Sequence, residues 1–476
     1  MRVNNYSHPI VSTTPKAVKL FIEGTEALAT VEKNGIRIDV DYCHKISKKL
    51  QKQIDVLEAE IKKTVVWKHW VQVYKDKANI DSGDQLGKIL FEKMKMSGVK
   101  TDKGKWKVDE EALSEHIGTY PVLHKYIRAK KLKKSVNTYF AGFLRAEHEG
   151  IVRPFFNLHT VQTFRSSSSD PNLQNIPIRD PMIGELVRKV FIPRDGNQLC
   201  EVDFSGIEIR IAACLHKDPT MLKYIHDPTT DMHRDMAIDC YKLDPEEFRL
   251  VDNPEGKKWL KNCRYCAKNK FVFPQFYGDW YEACARNLWK AIRELDLHTG
   301  RGIPMLEHLA SKGIHNLADF TKHIQAVEKH FWYNRFPVYT EWKEKHWKKY
   351  LTKGFFDLPT GFRCIGHMER NAAINYPVQG SAFHCLLKTL IETTKWLKKK
   401  GMQTKIICQI HDSLLLDMVP EERKEILAFL HDFMTRRLQK LWPWIIVPLD
   451  VEAEIAPIGA SWFEKQVVEM VEKETE

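Results

Sequence analysis

Apolar residues along the first third of the chain follow a helical period. Between residues 40 and 64 they recur every three to four positions, which predicts a long amphipathic helix capped by Asp39 or Asp41. The same spacing at 85–96 and at 120–145 predicts two further helices. The first part of the chain is therefore expected to be a helical lobe.

After residue 150 the pattern changes to short strands, turns and helices. The largely apolar run 199–204 predicts a buried strand that leads into a helix, and residues 217–345 are mostly helical. The predicted elements of the last part are a helix at 381–400, strands at 405–410 and 414–417, a helix at 420–441 and a strand at 449–455. Helical lobes around a small antiparallel sheet indicate an α+β architecture.

Positive charge is the compositional feature that adds to this picture. Lys and Arg together exceed Asp and Glu by 12, which favours a polyanionic partner because these side chains neutralise phosphates. The chain has neither an apolar stretch of the roughly 20 residues that cross a bilayer nor an opening signal segment. We therefore expect a cytoplasmic protein without a membrane partner.

The cysteines do not indicate a metal or disulfide framework. All ten are scattered along the chain, and only Cys263 and Cys266 form a C-x-x-C pair. Because no second pair or histidine doublet completes a zinc tetrahedron, reduced thiols packed as small apolar side chains are predicted.

Two carboxylates stand in largely apolar surroundings. Asp203 follows the run 199–202 just before a predicted helix, and Asp412 lies in the turn between two apolar strands. Each alone fits a structural role, because aspartate is common in tight turns. If the two strands are neighbours in one sheet, the carboxylates converge, and converging aspartates can hold two Mg²⁺ ions for phosphoryl transfer.

The segment 264–278 combines positive charge with aromatic rings. Arg264 and Lys268 are four residues apart, so on a helix they share one face and could clamp a triphosphate. The aromatic residues that follow could stack on a base, and Pro274 marks the helix as irregular. A second basic run, 128–134, fits either a solvated helix face or a surface that grips phosphates.

Several of these segments, in this order, resemble family A DNA polymerases, the DNA polymerase I family. Residues 203–210 (DFSGIEIR) are similar to the family's first motif, D-Y-S-Q-I-E-L-R, and residues 264–278 to its second, R-x3-K-x7-Y-G. Residues 409–413 (QIHDS) are similar to the third motif, Q-V-H-D-E. Further similar segments are 81–86, 132–139, 163–177 and 375–381, so the resemblance extends from about residue 20 to residue 465.

The resemblance implies roles for individual residues. Asp203 and Asp412 correspond to the catalytic pair that binds two Mg²⁺ ions, with the carbonyl of Phe204 as a further ligand. The residues implied to bind the dNTP are Arg264, Lys268, Phe273, Tyr277, Glu208 and His233. Those implied to bind DNA are Arg165, Gln174, Asn175, Asn375, Gln379, His411, Arg128, Lys130, Lys131, Lys133 and Lys134.

Four of these residues carry implied roles in selectivity. Glu208 corresponds to a steric gate that fills the space of a ribose 2′-hydroxyl, although an acidic residue in the first turn of a helix also has a structural interpretation. Tyr277 corresponds to the ring beside the templating base. Arg165 and Gln379 correspond to minor-groove contacts, where acceptors recur at every base pair and report pairing geometry rather than sequence.

The second motif departs from the family in length. Lys268 and Tyr277 are nine residues apart where the family usually has eight, which indicates one inserted residue. Counting back from Tyr277 selects Phe273 as the ring that stacks on the nucleotide, whereas counting forward from Lys268 selects Val272. We prefer Phe273, with Phe271 as the alternative.

Other departures concern the third motif and the fingers. Ser413 replaces the usual glutamate, so only two acidic ligands are expected. Residues 291–322 exceed the usual length after Tyr-Gly, which predicts a fingers insertion.

The predicted fold is a right hand of the α+β class, with an antiparallel palm sheet, helical fingers and a helical thumb. The predicted divisions are an extended arm at 1–19, the thumb at 20–150, the palm at 151–215 and 346–476, and the fingers at 216–345. Only about 20 residues precede the thumb, where the family's 3′–5′ exonuclease domain normally lies. We therefore expect no proofreading domain in this chain.

The expected function is template-directed extension of a primer 3′-hydroxyl with dNTPs, in DNA replication or repair. Primer–template DNA and dNTPs are the expected partners, with a separate exonuclease or processivity factor as further candidates. A separately encoded exonuclease would fit a phage or phage-derived gene, acting in a bacterial or phage-infected cytoplasm. The alternatives are an RNA polymerase or reverse transcriptase, a silent nucleic-acid-binding protein and a two-metal nuclease, and the choice between DNA and RNA templates stays open.

Overall fold

The first part of the chain folds into a helical lobe with a small three-stranded sheet. The computed structural model describes residues 14–101, 103–114, 116–177 and 180–470. The helices of this lobe are α1 (Pro15–Asn34), α2 (Val40–Lys62), α3 (Val65–Tyr74), α4 (Gly83–Gly87), α5 (Glu110–Ser114), α6 (Val122–Lys134) and α7 (Ala141–Ala146). Its strands are β1 (Ile36–Arg37), β2 (Glu147–His148) and β3 (Ile151–Val152), in the order β1-β3-β2.

Helix caps in this lobe confirm one expectation and correct another. The carboxylate of Asp39 accepts the amide of Tyr42 at 2.8 Å, so α2 begins as its sequence predicts. Helix α1 begins at Pro15 after the cap Thr14, because proline suits the first helical turn. Residues 15–19 are therefore helical, and predicting them as extended was wrong, while residues 1–13 of the predicted arm lie outside the described residues.

The outer part of this lobe has an apolar core separate from the main one. Trp70, Leu90 and Leu123, all buried, pack together there with residues of α3, α4 and α6. A second apolar core fills the rest of the described chain. Leu28, Leu50 and Phe143 of the same lobe belong to that main core, so only the outer part of the lobe packs as a unit of its own.

The middle of the chain is mostly helical. Its first elements are β4 (Phe155–Asn157), β5 (Ser167–Ser169), α8 (Pro181–Arg188), β6 (Gln198–Phe204) and α9 (Ile207–His216). The helices that follow are α10 (Pro219–His226), α11 (Met232–Tyr241), α12 (Glu247–Leu250), α13 (Pro254–Ala267), α14 (Phe273–Tyr277), α15 (Tyr281–Glu294), α16 (Met305–Ser311), α17 (Leu317–His330) and α18 (Pro337–Lys353). Residues 291–322 form the end of α15, α16 and the start of α17, where the rings of Trp289 and Phe320 lie 5.2 Å apart.

The last part adds a long helix and most of the central sheet. Its elements are β7 (Phe355–Asp357), β8 (Arg363–Ile365), α19 (Arg370–Lys400), β9 (Lys405–Ile410), β10 (Ser413–Met418), α20 (Arg423–Asp432), α21 (Leu438–Leu441), β11 (Val451–Ile455) and β12 (Gln466–Val468). Short 3₁₀ turns lie at Lys75–Lys77, Leu173–Asn175, Pro420–Glu422 and Trp462–Glu464, and π-helical turns at Lys88–Lys93, Ser135–Phe140, Lys268–Val272, Phe331–Arg335 and Phe433–Arg437. Helix α19 begins 11 residues before the predicted position and continues through Pro377.

The central sheet confirms the predicted α+β architecture. Its strands follow the order β12-β11-β6-β10-β9, and each pair is antiparallel. Strand β6 lies in the middle, so the residue at its end is flanked on both sides by other strands. All ten cysteines are buried and unpaired, as predicted, and no helix within the described ranges is both long and apolar enough to span a bilayer.

Stability is expected to fall as the pH decreases below about 6.5, because α19 buries His384 as a neutral base. Its Nδ1 lies 2.6 Å from the hydroxyl of Thr360, and its ring packs 4.4 Å from that of Phe362. Burial lowers the pKa of His384 to about 3. Between the two pKa values the unfolded chain binds a proton that the folded chain does not, at about 1.4 kcal/mol per pH unit.

Urea unfolding between pH 4 and pH 7 measures this slope. The substitution His384→Gln should make the slope shallower by about 1.4 kcal/mol per pH unit, while buried His216 and His233 keep contributing to it. His124→Gln, on an exposed side chain of α6, should leave the slope unchanged. An equal slope in the wild type and in His384→Gln would contradict this origin of the acid sensitivity.

Candidate active site

Two adjacent strands bring Asp203 and Asp412 together. Strands β6 and β10 are antiparallel neighbours, with Ser413 directly opposite Asp203. Asp412 lies in the two-residue turn before β10, and the amide of Phe204 donates to its carbonyl at 3.3 Å. The other turn residue, His411, has a φ of +52°, in the left-handed region that such tight turns require. The neighbouring strands on which the sequence interpretation depended are therefore present.

The two carboxylates are partly buried, and burial disfavours their ionised forms. Burial, followed by the charge of Asp412, raises the pKa of Asp203 well above its usual range, and burial also raises the pKa of Asp412. The Oδ1 atom of Asp203 is buried and has no hydrogen-bond partner within the described part of the chain. Such an arrangement favours a bound cation, because a cation would offset both charges and satisfy the free oxygen.

Two further acidic residues flank Asp203, and sequence reasoning assigned neither to the site. Glu452 on β11 lies directly opposite Asp203, on the other side from Ser413. Glu201 lies two residues earlier on β6, where it accepts hydrogen bonds from Ser413 Oγ and Trp462 Nε1, each at 2.8 Å. A charged residue within an apolar strand was the signal for Glu201.

Glu201 does not add a free negative charge to the site. Its carboxylate forms an ion pair with Lys465, which also pairs with Glu454. Among the described residues, no group of three or more His, Cys, Asp and Glu side chains is arranged to hold a metal ion. The candidate cation ligands therefore remain the two aspartates.

A π-helical turn accommodates the extra residue between Lys268 and Tyr277. The amide of Phe273 donates to the carbonyl of Lys268, five residues earlier, rather than to the residue four before it. A π turn places one additional residue in a helix without ending it, and such turns are frequent at functional sites. Helix α14 then begins at Phe273, so Pro274 occupies a first-turn position, where no amide hydrogen is needed.

The π turn also separates the three candidates for the residue that stacks on the nucleotide, Phe271, Val272 and Phe273. Phe271 and Val272 are fully buried in the core, so neither can contact a ligand. Phe273 instead lines the cavity in front of Asp203, and the ammonium of Lys268 lies 5.3 Å from the centre of its ring. The geometry therefore supports Phe273 as the stacking residue.

Glu208 is held rigidly at the cavity wall. Its carboxylate accepts a hydrogen bond from the hydroxyl of Tyr277 at 2.7 Å and forms an ion pair with Arg165. Burial and then the charge of Glu208 raise the pKa of Tyr277, which keeps its hydroxyl protonated as the donor. A side chain fixed at both oxygens cannot easily move aside, which is a property that a steric gate requires.

Arg264 and His233 lie together at the helical side of the site, on α13 and α11. Arg264 Nε donates to a carboxylate oxygen of Asp231 at 2.6 Å, and the ring of His233 packs edge-on against Phe273, with 5.9 Å between centroids. Burial, then the charges of Arg264 and Lys268, lower the pKa of His233 to about 4. Asp231 is a neighbour that sequence reasoning missed, although an aspartate two residues before His233 was visible as a helix cap.

Several of these groups line one cavity of about 750 Å³, whereas the predicted dNTP-binding residues Arg264 and His233 lie outside its lining. This volume is within the range of small-ligand sites, roughly 300–1,000 Å³. The lining includes Arg165, Asp203, Phe204, Glu208, Lys268, Phe273, Tyr277, Asn375, Gln379, His411, Asp412 and Glu452. The cavity therefore presents carboxylates on the sheet side and a lysine with aromatic rings on the helical side.

The model of DNA polymerase family A matches residues 40–273 and 360–464, more than half of the chain. The chain belongs to DNA polymerase family A. It is 28% identical over 456 residues to the thermostable DNA polymerase I of Thermus filiformis and 28% identical over 450 residues to DNA polymerase I of Caldicellulosiruptor bescii. Each alignment covers 92% of this chain but only 47% and 46% of the respective relatives, so the chain spans about half of their length.

A solved structure shares the fold. It is the POL domain of Pol1 from M. smegmatis in complex with DNA primer-template and dNTP, with a TM-score of 0.72 and 23% sequence identity. The match covers 93% of this chain and 70% of that chain. The right-hand polymerase fold predicted for the chain is thereby confirmed.

Not all residues that the family motif implies for DNA binding face the cavity. Arg165, Asn375, Gln379 and His411 line it, and Asn375 Nδ2 lies 3.4 Å from the carbonyl of Tyr277. Asn375 and Gln379 are four residues apart on α19, which places them on one helix face. Asn175 is exposed, outside the cavity lining.

Gln174 is predicted to bind DNA, but its side chain points into the protein. Its side chain is 9% exposed, and its amide donates to Ser166 Oγ and Gln409 Oε1, each at 2.8 Å. Because both hydrogen bonds point into the protein, Gln174 supports the turn of the third motif through Gln409, and its DNA contact stays a prediction. Sequence similarity marks such a residue but does not show which way its side chain points.

The basic residues of the run 128–134, predicted to bind DNA, divide into those with partners inside the described part of the protein and those without. Lys131 pairs with Glu110 and Asp180, Lys133 pairs with Glu58 and Asp81, and Lys130 donates to the carbonyl of Asp81. These three lysines stabilise the lobe, which limits their availability to DNA. Arg128 and Lys134 are exposed and form no ion pair with any described residue, so they remain the best candidates for phosphate contacts.

Proposed function

We propose that this chain is a template-directed DNA polymerase that extends a primer 3′-hydroxyl with dNTPs. The observation that carries the proposal is the single cavity in which Asp203 and Asp412 face Lys268, Phe273 and Tyr277. A nuclease of the two-metal class would need the carboxylates but not a lysine and stacking ring at the opposite wall. Membership of DNA polymerase family A supports the same activity. The relatives named DNA polymerase I are about twice as long as this chain.

The proposed chemistry assigns each wall of the cavity a task. Lys268 and Arg264 bind the triphosphate and offset negative charge that develops on the leaving pyrophosphate. Phe273 stacks on the incoming base, and Tyr277 stands beside the templating base. Arg165 and Gln379 contact minor-groove acceptors of the nascent pair, so that a mispaired primer end is poorly held.

The residues present fit a divalent cation site. The unpartnered Oδ1 of Asp203 and the raised pKa values of both aspartates show a carboxylate pair that a cation would stabilise. Asp203, Asp412 and the carbonyl of Phe204 would hold two Mg²⁺ ions. Bound Mg²⁺ would neutralise charge on the attacking and leaving oxygens of the displacement.

We assign the predicted right-hand divisions and partners as part of this proposal. Residues 20–150 would be the thumb, 151–215 and 346–476 the palm, and 216–345 the fingers. Primer–template DNA would lie between the thumb and the palm, contacted by Arg128 and Lys134. A separate exonuclease or processivity factor would act with this chain in the cytoplasm.

Extension of a labelled primer on a DNA template tests the function. The wild type should extend the primer with dNTPs and Mg²⁺, should fail with EDTA, and should use NTPs poorly because of Glu208. A preparation of Asp412→Ala made in parallel identifies any contaminating polymerase. A run without nucleotides on a single-stranded primer reports exonuclease activity.

The outcomes separate the alternatives. Extension with dNTPs alone supports the polymerase, whereas efficient extension with NTPs would favour an RNA polymerase. No extension by a protein that still binds primer–template DNA would contradict the proposed activity. An RNA template in the same assay separates a DNA-dependent enzyme from a reverse transcriptase.

A further inference from the structure

Asp231 joins two groups of the candidate nucleotide site that are distant in sequence. It is the N-cap of α11, where its Oδ1 accepts the amides of His233 at 2.9 Å and Arg234 at 3.1 Å. Its Oδ2 accepts the Nε of Arg264 at 2.6 Å. One carboxylate therefore fixes the start of α11 and the side chain of a residue on α13.

Asp231 binds Nε of Arg264, and among the described residues this leaves the terminal N–H groups of the guanidinium free for a ligand. A guanidinium has five N–H donors, and the bond to Asp231 uses the one on Nε. The two terminal nitrogens have no hydrogen-bond partner among the side chains and backbone that the structure describes. A guanidinium anchored at Nε presents those four donors as a fork, the form that binds phosphate oxygens in pairs.

The side chains around Asp231 are of the kinds that bind a nucleotide, with polar and cationic groups for phosphates and an aromatic ring for a base. His233 has a buried Nδ1 without a partner in the described ranges, and its ring packs on Phe273. Phe273 in turn lies under the ammonium of Lys268. Asp231 itself is about one third exposed, so it lies at the edge of the cation cluster rather than within it.

We propose that Asp231 is a positioning residue that holds Arg264 in the orientation required to bind the dNTP triphosphate. This inference rests on the proposed polymerase function. Asp231 does not touch the nucleotide, and its effect is exerted through Arg264. As the N-cap of α11, it also positions His233. The advantage is pre-organisation, because a long flexible side chain that is already oriented loses less entropy on binding.

Substitution by serine separates the two tasks of Asp231. Serine is a strong N-cap, so Asp231→Ser should keep α11 folded, but its single hydroxyl cannot also replace the oxygen that accepts Arg264. The kcat/KM for single-dNTP incorporation should fall about tenfold, mainly through KM, as expected for one lost charge-assisted hydrogen bond. Asp231→Asn keeps one acceptor oxygen for the amides of α11, but its NH2 group is a donor and cannot accept Arg264 Nε, so it should lose about as much as Asp231→Ser.

A double-mutant cycle with Arg264→Ala shows whether the effect passes through Arg264. Asp231→Ser should then cause less than about a threefold further loss, because its target is already absent. Asp39→Ser is the matched control, since Asp39 caps α2 without pairing with a cation. A full additional loss in the Arg264→Ala background, or an unchanged KM in Asp231→Ser, would overturn the proposal.

A binding measurement keeps this test apart from that of the function. Retention of the correct dNTP by the complex with dideoxy-terminated primer–template can be followed by gel retardation without catalysis. Weaker retention in Asp231→Ser supports the inference, and equal retention contradicts it, whether or not the wild type extends primers. Failure of the wild type to extend, with dNTP still retained, would count against the proposed function alone.

Discussion

Replacing Asp203 by asparagine is expected to reduce primer extension by at least about a thousandfold, because the proposed cation site would lose one of its two carboxylates. A bound divalent cation supplies several kcal/mol of charge stabilisation in phosphoryl transfer, and about 4 kcal/mol corresponds to a thousandfold in rate. Single-turnover extension with saturating dNTP and Mg²⁺ measures this loss. Asp412→Asn should behave in the same way, since the end of β6 and the turn before β10 bring the two residues together.

The same substitution is expected to raise the melting temperature in the absence of Mg²⁺. Burial and the nearby charge of Asp412 raise the pKa of Asp203, so the folded state disfavours its ionised form. At neutral pH the unfolded chain ionises this group freely, and the folded state is therefore destabilised relative to a neutral asparagine. Thermal unfolding in EDTA should show Asp203→Asn to be more stable than the wild type.

Magnesium should reverse the order of stability. Added Mg²⁺ should raise the melting temperature of the wild type by binding the native state, and should raise that of Asp203→Asn much less. Glu452→Gln is the matched control, because Glu452 lies opposite Asp203 but stands outside the predicted cation ligands. Two results would contradict a cation site whose carboxylates destabilise the fold when no cation is bound. They are a lower melting temperature for Asp203→Asn than for the wild type in EDTA, and an equal rise of melting temperature with Mg²⁺ in both proteins.

The architecture and the convergence of the two aspartates could be predicted because both depend on apolar runs and residue spacings that are visible in the sequence itself. Apolar runs ending in Asp203 and flanking Asp412 specified two strands with a charged residue at one end, and strand pairing then brought the carboxylates together. The count between Lys268 and Tyr277 revealed an extra residue. Only the hydrogen bond from Phe273 to Lys268 shows that a π turn absorbs it, and hence which ring reaches the cavity.

The features that sequence did not predict depend on side-chain direction and on distant partners. Gln174 belongs to a motif, yet its amide turns inward to Ser166 and Gln409. Lys133 lies in a basic run, yet it forms ion pairs with Glu58 and Asp81, which are 75 and 52 positions earlier in the sequence. No local pattern shows these pairings, because they arise only when helices pack side by side.

Replacing Glu208 by alanine is expected to relax sugar discrimination by at least about a hundredfold. The ratio of kcat/KM for a dNTP to that for the matching NTP should fall, mainly because NTP incorporation rises as space opens for a 2′-hydroxyl. Incorporation of dNTPs should fall less than tenfold, since Arg165 and Tyr277 lose a shared partner without losing their own positions. Single-nucleotide incorporation of each of the four bases as dNTP and as NTP gives the ratio directly.

Two further substitutions separate bulk from charge and from rigidity. Glu208→Gln keeps the volume of the side chain, so it should retain most of the discrimination if steric exclusion is the cause. Tyr277→Phe removes only the hydroxyl that holds Glu208 at 2.7 Å, and a less restrained gate should discriminate at a level between those of the wild type and Glu208→Ala. Equal relaxation in Glu208→Gln and Glu208→Ala would mean that charge, not volume, excludes the ribose. Unchanged discrimination in all three variants would place the gate elsewhere in the cavity, with Phe273 as the next side chain to test.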